Sequence, residues 1–305
     1  MHAIQRSSNQ KGMSLTIRRA KDSSATASSG TASQSVNQRR RVCYRPSVEG
    51  FWCSIGESAL RPALGGGAEL EVFTRPADRV SGDLLAFVRL DRSRVGLVLA
   101  DATGHGLSAF RVAMVLRRTL QLLCSERAPV LGQPARLLSR LNQSLLEENT
   151  AEDCYATAVA AVYNEDTRSL QLARAGACLP APIHRQGEAR WLRSEGLLLG
   201  AIPRPRFETL KRKMQPGETL VLHTDGLELL LAGTTHDPAE LQPAMRKWLA
   251  GLRDGTAFER FTSLRRRFSE RQAANTERDD TTVVLLRIGE PLATPTVYEK
   301  LATAF

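Results

Sequence analysis

Aspartates that could bind a divalent cation recur in four short segments of the chain, three of which also contain glycine. In chain order, the segments are Ser81-Gly82-Asp83, Asp101-Ala102-Thr103-Gly104-His105-Gly106, Thr224-Asp225-Gly226 and Arg278-Asp279-Asp280-Thr281. Each one follows or precedes a run that is typical of a β-strand, so a fold could gather all four at one edge of a sheet. Carboxylates brought together repel one another and lose hydration, and hard cations bound through oxygen relieve both costs. A metal site is therefore the first hypothesis.

The competing interpretation is that these aspartates are turn residues. An aspartate beside a glycine is common in tight turns, and taken singly Asp83 or Asp225 would be assigned to one. The ordered recurrence, together with Asp101 and Asp279, favours a shared site over four unrelated turns.

The segment around the first two aspartates predicts a β-hairpin. Residues 68–74, 84–90 and 95–100 have the composition of strands, and residues 91–94 form the turn between the second and third. In an antiparallel pair, the start of one strand lies beside the end of the next. The spacing therefore predicts that Asp83 and Asp101 are neighbours.

The remaining pattern indicates an α+β domain with antiparallel sheets and separate groups of helices. Apolar periodicity predicts helices over residues 107–124, 134–148, 238–252 and 258–272. Strands are predicted over residues 155–163, 169–175, 181–184, 207–213, 218–223 and 282–288.

The net charge of +10 is concentrated in the first residues of the chain. Residues 1–46 contain nine basic residues and one acidic residue, which leaves about +2 for the remainder. This segment is rich in Ser, Thr, Gln, Asn and Arg, so we expect a disordered basic tail. A transit peptide, a segment that binds acidic partners and a solubilising tail all fit this composition. The near-neutral remainder disfavours nucleic acid as a partner.

The cysteines and the apolar runs bear on the location of the protein. Five cysteines are scattered without a C-x-x-C pair, which argues against a disulfide framework and a zinc knuckle and fits a reducing compartment. No apolar run approaches the roughly 20 residues of a membrane-spanning helix. We therefore expect a cytoplasmic protein with no membrane partner.

Nine short motifs occur along the chain in this order: residues 76–83, the D-x-x-G-H-G-x-x-A run at 101–109, Leu141-Asn142, Thr157-Ala158, Ala175-Gly176, Leu199-Gly200, Pro216-Gly217-Glu218, Thr224-Asp225-Gly226 and Asp279-Asp280-x-Thr282. In these motifs and their order, the chain resembles the SpoIIE/RsbU-type branch of the PP2C (PPM) protein phosphatases. Nine short motifs in one order are specific, although each alone is weak. Arg174-Ala175-Gly176-Ala177 departs from the Asn-Ala-Gly-His common in the family, and Ser81 replaces a usual glycine.

The resemblance implies a PP2C-like α-β-β-α sandwich of two mainly antiparallel sheets flanked by helix pairs. The phosphatase domain would span residues 67–289, after the tail 1–46 and a lead-in segment 47–66, and before a C-terminal tail 290–305. It also implies two divalent cations, Mn²⁺ or Mg²⁺, and hydrolysis of phosphoserine or phosphothreonine on a regulatory protein. STAS-type anti-anti-sigma factors are common substrates in the family. Oligomeric state is not readable from the sequence.

The site residues follow from the same resemblance. Asp101 would bridge the two cations, and the carbonyl of Ala102 would complete one of them. Asp225 and Asp279 would bind the other cation, and Asp83 would hold a water molecule bound to a metal. Asp83 and Asp101 are thus the expected catalytic residues, and Asp280 is a further candidate ligand.

Two alternatives stay open at this stage. His105 could be a general acid toward the leaving oxygen, or it could cap the following helix. The whole domain could also be a non-catalytic phosphatase-like binding module in a partner-switching pathway, although such a module has little need for every carboxylate.

Deletion of residues 1–46 is expected to leave hydrolysis of p-nitrophenyl phosphate nearly unchanged, because the segment's composition does not predict a contribution to the folded domain. Steady-state kinetics of the full-length and shortened chains check this expectation. A large loss of turnover in the shortened chain would show that the tail belongs to the catalytic unit.

Overall fold

The strands of this protein form two sheets that pack face to face. The computed structural model describes residues 51–54, 58–60, 64, 68–104, 106–148, 154–176, 182–185, 188–233, 238–252, 257–274 and 278–289. All of these lie in the unit formed by residues 42–305. The predicted tails, residues 1–46 and 290–305, lie outside the described residues.

Twelve strands are described in this part of the chain. They are β1 (Phe51–Ser54), β2 (Ser58–Leu60), β3 (Ala68–Arg75), β4 (Asp83–Arg89), β5 (Arg94–Ala102), β6 (Ala156–Asn164), β7 (Ser169–Ala175), β8 (Pro182–Arg185), β9 (Glu188–Trp191), β10 (Leu210–Lys213), β11 (Thr219–His223) and β12 (Thr281–Ile288). One sheet has the order β1-β4-β5-β6-β7-β10, and the other has the order β2-β3-β12-β11-β8-β9. Every described pairing is antiparallel.

Five α-helices in the described part of the chain cover the outer faces of the two sheets. They are α1 (Gly106–Ser125), α2 (Pro134–Glu148), α3 (Asp225–Ala232), α4 (Pro238–Ala250) and α5 (Ala257–Ala273). A 3₁₀ turn at Pro129–Gly132 connects α1 to α2. None of the described helices has the length and apolarity required to cross a membrane.

Three apolar layers hold the sandwich together. On the first sheet pack Leu116 of α1, Leu138 of α2 and their apolar neighbours. On the second sheet pack Leu249 of α4 and Leu264 of α5. Between the sheets lies a third layer, which contains Leu97 of β5 and completely buried residues of both sheets. Burial of a single large aliphatic side chain contributes roughly 1.5–3 kcal/mol, so the three layers are the main source of stability. The predicted α-β-β-α sandwich is confirmed.

The structure differs from the sequence prediction in its shortest elements. The lead-in segment contributes β1 and β2, which pair with β4 and β3, so the sheets include residues before 67. Strands of three or four residues are too short to show a clear alternation. Helix α3 was also missed, because Thr224-Asp225-Gly226 has the composition of a turn. The second sheet therefore carries three helices on its outer face where a pair was expected.

Asn142 anchors the irregular segment between β9 and β10 to α2. The side chain is buried, its Oδ1 accepts a hydrogen bond from the Gly200 amide at 2.8 Å, and its Nδ2 donates to the Ile202 carbonyl at 3.1 Å. Leu199 in turn exchanges two backbone hydrogen bonds with Ala156, the first residue of β6. Asn142 therefore joins α2, the β9–β10 segment and, through Leu199, the start of β6.

Asn142→Ala is expected to lower the free energy of unfolding by about 2 kcal/mol, because the buried Gly200 amide and the partly buried Ile202 carbonyl lose their partner. Urea denaturation measures the effect. Gln143→Ala is the matched control, since Gln143 is exposed and hydrogen-bonds within its own helix to Glu147. Equal stability of the two variants would contradict the anchoring role.

Candidate metal centre

The β4–β5 hairpin places two carboxylates side by side. In its register Asp83 pairs with Asp101, and on the other side of β5 Asp101 pairs with Thr157 of β6. Two turn contacts set this register, because the amides of Ser93 and Arg94 both bind the carboxylate of Asp91. The predicted neighbourhood of Asp83 and Asp101 is confirmed.

Asp83 is held from the opposite sheet by two threonine hydroxyls. Its Oδ2 accepts hydrogen bonds from Oγ1 of Thr224 at 2.9 Å and from Oγ1 of Thr282 at 2.6 Å. Its Oδ1 is buried and has no hydrogen-bond partner among the described residues. Burial raises the pKa of Asp83 well above its usual value, and the nearby Asp280 and Asp225 add to this effect, whereas the two hydroxyls oppose it.

Asp225 links the carboxyl groups of Asp101 and Asp279. Asp225 begins α3 and is separated from the end of β11 by Thr224, and its side chain hydrogen-bonds to those of both other aspartates. Burial, followed by repulsion from Asp83, Asp225 and Asp279, raises the pKa of Asp101 well above its usual range. Burial and then Asp225 raise the pKa of Asp279 to about 7. Four of the predicted aspartates, from four separate segments, therefore meet at one end of the sandwich.

Asp280 uses its carboxylate differently from its neighbour Asp279. Its Oδ1 accepts a hydrogen bond from the Ala77 amide at 2.7 Å, and its Oδ2 accepts one from the Gly82 amide at 2.6 Å. The side chain thus ties the segment before β4 to the start of β12. Both oxygens thus accept from backbone amides, which gives Asp280 a structural role, and its role as a metal ligand stays a prediction.

Ala102 and His105 complete the set of predicted site residues. Ala102 is buried at the end of β5, and its carbonyl oxygen lies 3.4 Å from the point where a Cβ on Gly82 would stand. The Ala102 carbonyl therefore lies beside the segment that contains Asp83, a position that is required of a metal ligand at this site. His105 lies outside the described residues.

The oxygen ligands of the cluster fit a hard divalent cation, although the carboxyl groups are not arranged around a common point. Among the described residues, no group of three or more His, Cys, Asp or Glu side chains encloses a common point as metal ligands do. Instead, Asp101 and Asp279 hydrogen-bond to Asp225, and each such contact requires a shared proton. A cation would replace these protons and relieve the repulsion that raises the pKa values. The oxygen-only ligands and the unpartnered Oδ1 of Asp83 suit Mg²⁺ or Mn²⁺.

Further polar groups beside the cluster were not predicted as site residues. Glu228, one turn after Asp225 on α3, is buried, and its Oε2 has no partner among the described residues. Burial and then Asp225 raise the pKa of Glu228 to about 7, while Arg174 on β7 opposes the shift. Burial lowers the pKa of His223, and Arg174 adds to this effect. A glutamate within the otherwise apolar sequence of α3 was the signal that could have identified Glu228.

Two glycines allow the segments of the site to approach closely. A Cβ on Gly226 would lie 2.1 Å from the carbonyl oxygen of Asp280, and a Cβ on Gly82 would lie 2.8 Å from the Cβ of Ala109 on α1. Real Cβ atoms essentially never come within 3.0 Å of another heavy atom. Glycine at these positions is therefore a packing requirement in addition to a turn preference.

The chain is similar in sequence to one family of known proteins and to one characterised relative. Residues 91–289 match the family described as Stage II sporulation protein E (SpoIIE). Phosphoserine phosphatase RsbP of Bacillus subtilis (strain 168) is 20% identical over 173 residues, which make up 56% of this chain and 42% of RsbP. The chain therefore spans less than half the length of this relative.

Solved structures share the fold. The PP2C phosphatase domain of SpoIIE from Bacillus subtilis, solved with a fragment of its regulatory domain, superposes with a TM-score of 0.56 at 19% identity, over 78% of this chain and 62% of that chain. The RsbU and RsbW domains of Rv1364c from Mycobacterium tuberculosis superpose with a TM-score of 0.61 at 17% identity, over 81% of this chain and 68% of that chain. The predicted PP2C-like fold and the resemblance to the SpoIIE/RsbU-type branch are confirmed.

Asp279→Asn and Asp280→Asn are expected to differ in their effect on the stability of the metal-free protein. At Asp280, an amide group must face a backbone N–H donor, so we expect a loss of about 2–3 kcal/mol in the free energy of unfolding. At Asp279 the remaining oxygen can still accept from the Asp280 amide, and removal of a mutually repelling charge leaves stability unchanged or higher. Urea denaturation in EDTA compares the two variants, and equal losses would contradict the division of roles.

Proposed function

Because the chain belongs to the SpoIIE family, we propose that it is a metal-dependent protein phosphatase acting on phosphoserine or phosphothreonine of a regulatory protein. The observation that carries this proposal is the convergence of Asp83, Asp101, Asp225 and Asp279 at one end of the two sheets. These residues are far apart in sequence and mutually repelling, so their assembly costs free energy, and a bound cation would offset part of that cost. The relative named phosphoserine phosphatase supports the same reaction.

The proposed ligands are three aspartates of the cluster and one backbone carbonyl. Asp101, Asp225 and Asp279, with the carbonyl of Ala102, would hold two divalent cations, Mn²⁺ or Mg²⁺. Asp83 would accept a hydrogen bond from a water molecule at the site through Oδ1. Bound cations would neutralise the phosphate oxygens and lower the pKa of a water molecule, and both effects are needed to hydrolyse a phosphomonoester dianion near neutral pH.

The residues around the ligands would keep Asp83 in a single orientation. Thr224 and Thr282 both donate to Oδ2, so Oδ1 is the oxygen that remains to accept a proton or a hydrogen bond. The amide of Thr282 also donates to Oγ1 of Thr224 at 2.9 Å, and the Thr224 hydroxyl lies nearer to Asp83, at 2.9 Å, than to its other acceptor, the Asp280 carbonyl, at 3.4 Å. Such fixed orientation is what a group that positions a nucleophile requires.

The proposed substrate is a phosphoprotein of the partner-switching type, such as a STAS-type anti-anti-sigma factor. The support for this class is the SpoIIE family assignment and the resemblance found in the sequence. We place the reaction in the cytoplasm, where the free thiols of Cys124 and Cys154 would stay reduced.

Asp101→Asn is expected to reduce turnover of p-nitrophenyl phosphate, and of a phosphoserine peptide, to the level of the EDTA-treated protein. The substitution removes the charge of the proposed bridging ligand, while the strand pairing of β5 is retained. Asp166→Asn is the matched control, since Asp166 is exposed and distant in sequence from the four segments. Both variants are compared with the parent protein in Mn²⁺ and in Mg²⁺.

Circular dichroism and the urea midpoint show whether the Asp101 variant keeps its fold. Undiminished activity of a folded Asp101→Asn protein would contradict the assigned role. If the parent protein has no metal-dependent activity on either substrate, the phosphatase-like binding module becomes the better description.

A further inference from the structure

The outer face of α1 carries most of the large apolar side chains that the described surface exposes. Leu107 is 73% exposed, Met114 is 37% exposed and Leu122 is 53% exposed. The other exposed large apolar residues in the described part of the chain are Leu197 and Ile202, both in the segment between β9 and β10. A helix whose opposite face already packs on a sheet therefore has a second apolar face.

These side chains form one continuous stripe together with two arginines. The α1 stripe consists of Leu107, Arg111, Met114, Arg118 and Leu122, at intervals of three or four residues, which places them on one side of the helix. Arg111 and Arg118 are exposed between the apolar residues. The stripe is about 22 Å long at 1.5 Å per residue. This length matches a docked helix of about four turns.

The charge of α1 specifies what kind of helix would fit. The sequence of α1 contains three arginines and no aspartate or glutamate. Arg118 does contact Glu148 of α2 at 3.5 Å, but both side chains are mainly exposed, and exposed ion pairs of this kind contribute little. A partner with acidic residues beside an apolar face would therefore complement both the charge and the apolar surface of the stripe.

The stripe begins at the carboxylate cluster. Leu107 is the second residue of α1, six residues after Asp101, and Ala109 on the same helix packs against Gly82 beside Asp83. A protein whose phosphoserine reached the cluster would pass close to Leu107, and α1 leads away from the cluster from there. Proximity to the site thus favours the substrate as the occupant of the stripe.

We propose that the α1 stripe is the docking surface for the phosphoprotein substrate, and that it binds an acidic amphipathic helix near the phosphorylated residue. This inference rests on the proposed phosphatase function. Apolar side chains of the docked helix contact Leu107, Met114 and Leu122. Carboxylates of the same helix face Arg111 and Arg118. The stripe thereby selects a protein substrate over a free phosphomonoester, because only the protein covers both the cluster and the helix.

Synthetic phosphoserine peptides test the proposal. One peptide carries only the residues around phosphoserine, the second adds a 15-residue helix of Leu and Glu with one apolar face, and the third adds the same residues in scrambled order. The amphipathic extension is expected to lower KM at least about tenfold with little change in kcat. Fluorescence anisotropy of the labelled second peptide gives its Kd without reference to turnover.

Two variants that introduce a negative charge on the α1 stripe locate the effect. Leu122→Glu and Arg118→Glu, at the end of the stripe remote from the cluster, are expected to abolish the advantage of the amphipathic peptide in both KM and Kd. Turnover of p-nitrophenyl phosphate stays at the parent level in each. Arg266→Glu is the matched control, because Arg266 is exposed on α5, which covers the outer face of the other sheet.

Three results would overturn the docking proposal. One is equal KM and Kd for the amphipathic and scrambled peptides, and another is an equal effect of Arg266→Glu and Arg118→Glu. The third is a change in p-nitrophenyl phosphate turnover caused by the unphosphorylated amphipathic peptide, which would identify a regulator's site. Absence of metal-dependent turnover in the parent protein would instead count against the proposed function, while anisotropy still tests docking.

Discussion

The pairing of Asp83 with Asp101 across the β4–β5 hairpin is the constraint around which the site is built. Two carboxylates in adjacent cross-strand positions repel one another, and here both are largely removed from water. The protein accommodates them by surrounding Asp83 with hydroxyl donors and by bringing Asp225 into hydrogen-bonding contact with Asp101. The surrounding fold therefore supplies the free energy that keeps these charges together, chiefly from the three apolar layers.

Asp279 and Asp280 are adjacent in sequence, but their surroundings give the two carboxyl groups different hydrogen-bond partners. Asp280 has two backbone amides as partners, and its carboxylate is satisfied within the protein. Asp279 is more exposed and faces other carboxyl groups, so it lacks a comparable set of donors. A resemblance in sequence marks both residues, whereas only the hydrogen-bond partners distinguish them. The same reasoning separates the Oδ2 of Asp83 from its Oδ1.

Much of this arrangement could be predicted from the sequence, because long elements carry strong periodic signals. The strands that form the β4–β5 hairpin, the helices α1 and α2 and the neighbourhood of Asp83 and Asp101 follow from alternation, apolar periodicity and antiparallel geometry. The short strands β1 and β2 and the helix α3 do not, since three to eight residues contain too few positions for a period to stand out.

The partners of each site residue were also beyond the sequence. Thr282 and Asp83 are separated by 199 positions, and no local pattern indicates that the hydroxyl of one would bind the carboxylate of the other. Glu228 and Arg174 belong to different layers of the sandwich, so their electrostatic interaction depends on how the layers pack. Periodicity within single elements carries no information on such contacts.

The hydrogen bonds from Thr224 and Thr282 to Asp83 also connect the two sheets at the site. Asp83 belongs to the first sheet, whereas Thr282 lies in β12 of the second sheet and Thr224 directly follows β11, and the hydrogen bonds from both threonines to Asp83 cross the sandwich. Neither sheet carries the site alone. A core substitution far from the carboxylates that slides one sheet over the other by an ångström would separate these groups. The packing of the apolar layer between the sheets therefore fixes the distances between the site groups of one sheet and those of the other. A change in that packing alters the geometry of the site.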